Sequence, residues 1–310
     1  MTKTTALLFA GQGAQTVGMG RDLCEQFPVC RELFARANTV LGRDLQSICF
    51  DGPAEVLTKT DNAQPGIFVM SLACLTALRA QLPDFKFEAT AGLSLGEFTA
   101  LAAAEAVTFE DGLRMVQARG RFMQEACDAT RGGMASVIGM DEAALAEVCR
   151  EADVDIANLN CPGQIVISGD KDKIAKAVEL VKARGAKRAI PLQVAGAYHS
   201  RLMESGRVKV AGALATLPMQ SPRVPVVSNV SARPGESVAE IKDLLVRQVT
   251  SSVRWTESMQ WLVSQGFTRF IELGPGNVLS GLMKRIDKDV EMLAVNDVVS
   301  LQATVEKLAG

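Results

Sequence analysis

Apolar residues along this chain occur in two textures: short unbroken runs, and longer stretches in which they return every three or four positions. The run from Thr5 to Ala10 stops at Gly11 and reads as a buried strand. Helical spacing occupies about 19–41 and 65–81, a second strand is expected near 87–93, and a helix begins at Ser94. Another helix covers about 109–126, with Thr108 and Asp111 at capping-box separation. From 133 onward GMASVIGM reads as a strand, DEAALAEVCREA as a helix, VDIANLN and QIVISGD as two strands joined through CPG, KDKIAKAVELVKARG as a helix and AKRAIPLQV as a strand. That β-α-β-β-α-β order is the ferredoxin-like split unit. It predicts a small domain over 128–195, inserted into a large one built from 1–127 and 196–310.

Beyond the insertion a helix is expected near 203–215, a strand in VPVVSNV, helices at 236–249 and near 255–265, and a strand in FTRFIEL. A turn at Gly274-Pro275-Gly276 then leads into a helix through VLSGLMKRI. Strands alternating with helices predict an α/β fold whose large part holds a mostly parallel sheet.

Composition narrows the class. Among 310 residues, 33 basic side chains face 35 acidic ones, a balance unlike that of a nucleic-acid-binding protein. The seven cysteines are odd in number and form no C-x-x-C pair, so buried free thiols are expected. The apolar run before Gly11 is too short for a signal-peptide core, and later runs are interrupted by charge. A soluble cytoplasmic protein without membrane contact is the expectation.

Candidate chemistry starts at AGLSLGEFTAL, where Ser94 stands between Gly92 and Gly96 at a strand-to-helix junction. A nucleophile elbow needs glycine at both places, because side chains there would collide with neighbouring backbone. An ordinary N-cap, with Glu97 completing a capping box, fits the same local sequence. A serine nucleophile needs a base near neutral pH, and His199 is the sole histidine. An unperturbed imidazole predicts a rate that falls below about pH 6–6.5. Arg119 lies on the edge of an apolar stripe with Gly112 and Met123, unlike Arg114 and Arg121 on the opposite face. A guanidinium there needs a partner, either an internal acid or a substrate carboxylate held by paired hydrogen bonds. The glycine-rich loop GQGAQTVGMG has neither dinucleotide-binding nor P-loop spacing. These residues together suggest acyl transfer through a serine ester, on an acyl group that carries a carboxylate. An acyl hydrolase and a non-catalytic carrier-binding module are the alternatives.

The ordered motifs FAGQGAQTVGMG, DGPAEVLTKTDNAQP, GLSLGEFTAL, ARGRFMQEA, NLNCPGQIVISG, GAYHSRLM, LLVRQVTSSVRW and ELGPGNVLSGLMKRI run nearly end to end. In them the chain resembles the malonyl-CoA:acyl carrier protein transacylases, acyltransferases of fatty-acid and polyketide synthesis. The resemblance implies an α/β-hydrolase-like large domain with a ferredoxin-like insertion and an active site in the cleft between them. It implies Ser94 as the acylated nucleophile, His199 as its base and then acid, and Arg119 as the grip on the malonyl carboxylate. The backbone N–H groups of Gln12 and Leu95 would form the oxyanion hole. The backbone carbonyl of Gln248 would orient His199 in place of an acidic third member, and Asn160 would line the cleft. Malonyl-CoA is the implied substrate and a phosphopantetheinylated acyl carrier protein the implied partner, with a monomer that uses no metal or redox cofactor. Two positions depart from the family pattern: Leu93 stands where histidine usually precedes the serine, and P-G-Q-G-S-Q reads A-G-Q-G-A-Q. Tyr198 resembles the bulky aromatic of malonyl-selective members and would disfavour an α-methyl by roughly 1–3 kcal/mol. The basic pairs Lys284–Arg285 and Lys187–Arg188 either meet an acidic carrier or are solvated surface.

Overall fold

The short apolar runs become strands, and their burial on two faces explains why they lack alternation. The structure, a computed structural model, describes residues 3–309. Its strands are β1 (Thr5–Phe9), β2 (Ala89–Gly92), β3 (Gly132–Ile138), β4 (Asp155–Cys161), β5 (Gln164–Asp170), β6 (Arg188–Pro191), β7 (Val226–Val227), β8 (Arg269–Leu273) and β9 (Glu291–Val295). The large sheet has the order β7-β2-β1-β8-β9, and every pairing in it is parallel, so the expected mostly parallel sheet is wholly parallel. Along central β1, Leu7 and Phe9 enter a core shared with helices Pro28–Leu41, Thr60–Gln81 and Phe109–Asp128. Ala6 and Leu8 point the other way, toward Trp255, Met259, Leu279 and Leu282 of helices Trp255–Ser264 and Val278–Ile286. A strand covered on both faces must be apolar throughout.

The second sheet has the antiparallel order β4-β5-β3-β6, the ferredoxin-like arrangement expected from the sequence. Helices Glu142–Ala152 and Lys171–Ala183 pack on one face of it around Val137, Leu145, Ile167 and Ile174. Asp141 and Asp170 cap their N-termini, accepting from Ala144 N and from Asp172 and Lys173 N. The small sheet is tied to the large part where Val253, just before the Trp255–Ser264 helix, donates its N–H to Ala157 O (2.8 Å) and accepts at its carbonyl from Leu159 N (2.9 Å). Strand β4 thereby becomes one wall of a cleft above the carboxyl ends of β1 and β2.

Some element boundaries differ from expectation for local reasons. The helix expected over 19–41 is two helices, Arg21–Gln26 and Pro28–Leu41, because Pro28 has no N–H to continue the first and its φ suits the first turn of the second. The helix expected from 65 begins at Thr60 and carries Pro65 inside it. Proline removes the donor that Asp61 O would have used, and Arg43 Nη2 replaces it at 2.7 Å. That helix is long and apolar enough to cross a membrane, yet 83% of its apolar window is buried in the fold. Strand β9 and the Val298–Ala309 helix were not foreseen; most of β9 is only half-buried, so its apolar signal is weak. All seven cysteines are buried and free. Residues 1, 2 and 310, at the ends of the expected large domain, lie outside the described residues.

Candidate active site

Glycine chemistry decides the turn that carries Ser94. A Cβ on Gly92 would sit 1.9 Å from the Gly96 carbonyl carbon, and one on Gly96 would sit 2.1 Å from Phe9 O. Strand, turn and helix therefore approach more closely than any side chain allows. Ser94 itself takes φ 55°, ψ −101°, a conformation costly for a residue with a Cβ. Asn229, just past the carboxyl end of β7, holds it there. Its Oδ1 accepts from Ser94 N at 2.6 Å and its Nδ2 donates to Gly92 O at 2.7 Å. The capping-box alternative for Ser94 and Glu97 is overturned. The Ser94 side chain takes no hydrogen bond from its helix, and its N–H is bound by Asn229 instead of Glu97.

The strained turn aims Ser94 Oγ at His199, whose Nε2 lies 2.7 Å away. His199 also has positive φ (57°), and its Nδ1 lies 2.9 Å from the backbone oxygen of Gln248. A carbonyl can only accept, so Nδ1 carries the proton and Nε2 is left to accept from the serine hydroxyl. Burial, then the positive field of Arg119, pushes the imidazole down from 6.5 to about 4, against hydrogen bonds that the ring donates to the backbone of Gln248 and Ser251 and that favour its cation. The expectation of an ordinary imidazole is thus corrected: this histidine is neutral well into the acid range.

Arg119 is fully buried and lies 5.3 Å from the Phe98 ring centroid. Its Nη1 donates to Gln64 Oε1 (2.7 Å), and its Nη2 donates to Ser94 Oγ (3.1 Å) and to Gln248 Oε1 (2.9 Å). Nε has no partner among the described residues. Among the described residues no carboxylate forms an ion pair with it, so the internal salt bridge is absent there and its direct protein partners are neutral oxygens. Burial pulls its pKa down to about 10, opposed mainly by the field of Glu97. An isolated cation at such a site costs several kcal/mol unless an anion answers it.

The backbone N–H groups of Gln12 and Leu95 make no hydrogen bond among the described residues. Leu95 N opens the Leu95–Ala103 helix, where free N–H groups and the helix dipole favour a developing anion. The side chain of Gln12 is held by Gln64 Nε2 (3.1 Å), Thr60 Oγ1 (3.3 Å) and Tyr198 OH (3.4 Å). A cavity of about 300 Å³ opens over these groups and is lined by Gln12, Ser94, Asn160, Tyr198 and His199, with Leu93 and Leu282 on its apolar side. Tyr198 is locked by a 2.7 Å contact of its hydroxyl with Thr60 Oγ1. Of the basic pairs, Arg285 is tied to Gln164 Oε1 and Pro162 O at the cleft rim.

Sequence reasoning missed Gln64, Asn229 and the side chain of Gln248. Asn229 could have been flagged because it follows VPVV, at the carboxyl end of a parallel strand where sites gather. Gln64 and Gln248 carry no pattern signal, since a polar residue on a buried helix face reads as noise until its partner is known.

Comparison with known proteins identifies the family. Residues 6–306 match the family model described as acyl transferase domain. The chain is 45% identical over 310 residues to a malonyl CoA-acyl carrier protein transacylase of Bacillus subtilis (strain 168), covering 98% of this chain and 96% of the relative. It is 42% identical over 306 residues to the protein of that name in Escherichia coli (strain K12), with 97% and 98% covered. Among solved structures, the malonyl CoA-acyl carrier protein transacylase of Coxiella burnetii superposes with a TM-score of 0.96 at 34% identity, covering 100% of this chain and 99% of that one. A malonyl-transacylase in complex with a holo type II PKS acyl-carrier protein superposes with a TM-score of 0.95 at 39% identity, covering 98% and 99%.

Proposed function

The chain belongs to the acyl transferase family, and on that premise we propose that it moves a malonyl group from malonyl-CoA to the phosphopantetheine thiol of an acyl carrier protein. The observation that carries this reading is the convergence of two buried groups on one hydroxyl: His199 Nε2 and Arg119 Nη2 both contact Ser94 Oγ. A base alone suits any acyl group. A buried guanidinium with no acid against it suits one that brings its own carboxylate.

The steps follow from the contacts. Ser94 Oγ attacks the thioester carbonyl while His199 Nε2 takes its proton, and the Gln248 carbonyl keeps the imidazole turned for that transfer. The carbonyl oxygen becomes an oxyanion facing Gln12 N–H and Leu95 N–H, each of which would contribute on the order of 3 kcal/mol. Collapse expels CoA as its thiolate, which takes the proton back from His199. The carrier thiol then gives His199 a proton, attacks the malonyl ester and returns Ser94 to its hydroxyl, a ping-pong cycle. The malonyl carboxylate lies on Arg119 throughout, displacing the serine and amide contacts of the empty site. This chemistry balances without a metal or redox cofactor. The reading extends to a monomer acting in the cytoplasm, without nucleic-acid or membrane partners, in keeping with the near-balanced charge.

Intact-protein mass spectrometry after mixing with malonyl-CoA tests the assignment. The unmodified chain should gain one malonyl adduct and Ser94→Ala none. An adduct that survives the substitution, or maps to a cysteine, overturns the reading.

A further inference from the structure

Glu97 is fully buried beside the site, and the cycle above leaves it without a task. It stands at the capping-box position but does not cap, because Asn229 Oδ1 already binds Ser94 N. Its Oε2 accepts from Gln248 Nε2 (2.7 Å) and from Asn229 N (3.1 Å). Gln248 Nε2 also donates to Ser94 O at 2.9 Å, so its amide can point only one way, with Oε1 toward Arg119. One side-chain amide therefore separates a buried acid from a buried cation that never touch directly.

We propose that Glu97 is a positioning and specificity residue. Its charge, relayed through Gln248, balances Arg119 in the empty site and competes with the ionised substrate carboxylate, which binds Arg119 as Glu97 takes up one proton from solvent. The inference rests on the reading that Arg119 grips an acyl carboxylate. Burying a carboxylate costs several kcal/mol unless a cation answers it, and Arg119 is the cation available. Among the described residues the strands and long helices packed on Leu95–Ala103 offer no other, and on the Val238–Gln248 helix, which supplies Gln248, the charged residues Glu240, Lys242, Asp243 and Arg247 are half-buried or exposed. Strands β1, β2 and β7 carry no charge; Asp61 and Arg79 lie near the ends of Thr60–Gln81; and the remaining charged residues of Phe109–Asp128 are half-buried or exposed. His199, the other titratable group of the cluster, lies across Gln248 and is neutral near pH 7.

Burial raises Glu97 to about 7, while hydrogen bonds from Gln248, Asn229 and Ser228 and the field of Arg119 pull it down. Below that pH Glu97 is protonated and leaves Arg119 to the substrate. Above it the ionised acid competes, so malonyl capture weakens as pH rises. The kcat/KM for malonyl-CoA should fall about tenfold between pH 6 and pH 8, while single-turnover acylation by acetyl-CoA stays level over the same range. Glu97→Gln keeps an acceptor oxygen for Asn229 and Gln248 but removes the charge, and should abolish the malonyl-specific fall. A fall of equal size with acetyl-CoA, or one that persists in Glu97→Gln, overturns the proposal. Should that variant not fold, the malonyl and acetyl profiles of the unmodified chain decide alone: a fall confined to malonyl supports the proposal, a shared or missing one overturns it. A malonyl adduct on Ser94 without the fall refutes the role of Glu97 while leaving the transfer reading intact.

Discussion

Acid titration separates a buried histidine base from an ordinary one. An imidazole with its usual value of 6.5 is about 97% protonated at pH 5, and a rate that needs its neutral form falls about thirtyfold from the plateau. His199, held near 4 by burial and by Arg119, keeps its neutral form at pH 5 and loses only about a tenth of the rate. The difference between 6.5 and about 4 corresponds to roughly 3 kcal/mol of free energy that disfavours the buried cation. The same linkage acts on stability. The folded value is the depressed one, so this contribution is complete above 6.5 and is lost as pH falls toward 4, when the unfolded chain binds a proton that the folded chain refuses. The assay is single-turnover acylation of Ser94 by acetyl-CoA, quenched and read by intact mass, from pH 3.5 to 8, with circular dichroism confirming the fold at each point. The rate should stay flat to about pH 5 and bend near 4. A bend near 6.5 with the fold intact would refute the argument that desolvation sets this base.

Arg119→Ala should lower kcat/KM for malonyl-CoA by about 2–4 kcal/mol, or roughly 30- to 1000-fold, while acylation by acetyl-CoA falls far less. Equal losses on both substrates would refute the carboxylate grip. Asn229→Ala leaves Ser94 N–H and Gly92 O buried without their partner, which at about 1–3 kcal/mol each predicts a loss of roughly 2–6 kcal/mol in urea unfolding. A change below about 0.5 kcal/mol would show that the elbow stands without that amide.

The fold was legible wherever one physical constraint acts locally. The βαββαβ order of the small sheet shows in the succession of short apolar runs and helical stretches along 133–195, and Thr108 caps its helix by accepting from Asp111 N, as the capping-box spacing suggests. Gly92 and Gly96 announce the elbow because no other residue fits two backbones that close. Boundaries were less legible where a long-range partner changes the local rule. Pro65 sits inside a helix because Arg43 supplies the missing donor, and Arg43 is remote along the chain.

For the site, the chemical identities were readable: a serine between glycines, one histidine, and one arginine on the wrong side of its helix. Residue type and helical period encode those, and they are properties of the chain. Folding decided the protonation of His199, the absence of an acid against Arg119, and the ring of Gln64, Asn229, Glu97 and Gln248 that orients them. These depend on desolvation and on hydrogen bonds between residues scattered from the second helical region to the end of the Val238–Gln248 helix, and neither can be evaluated until the chain has closed around them.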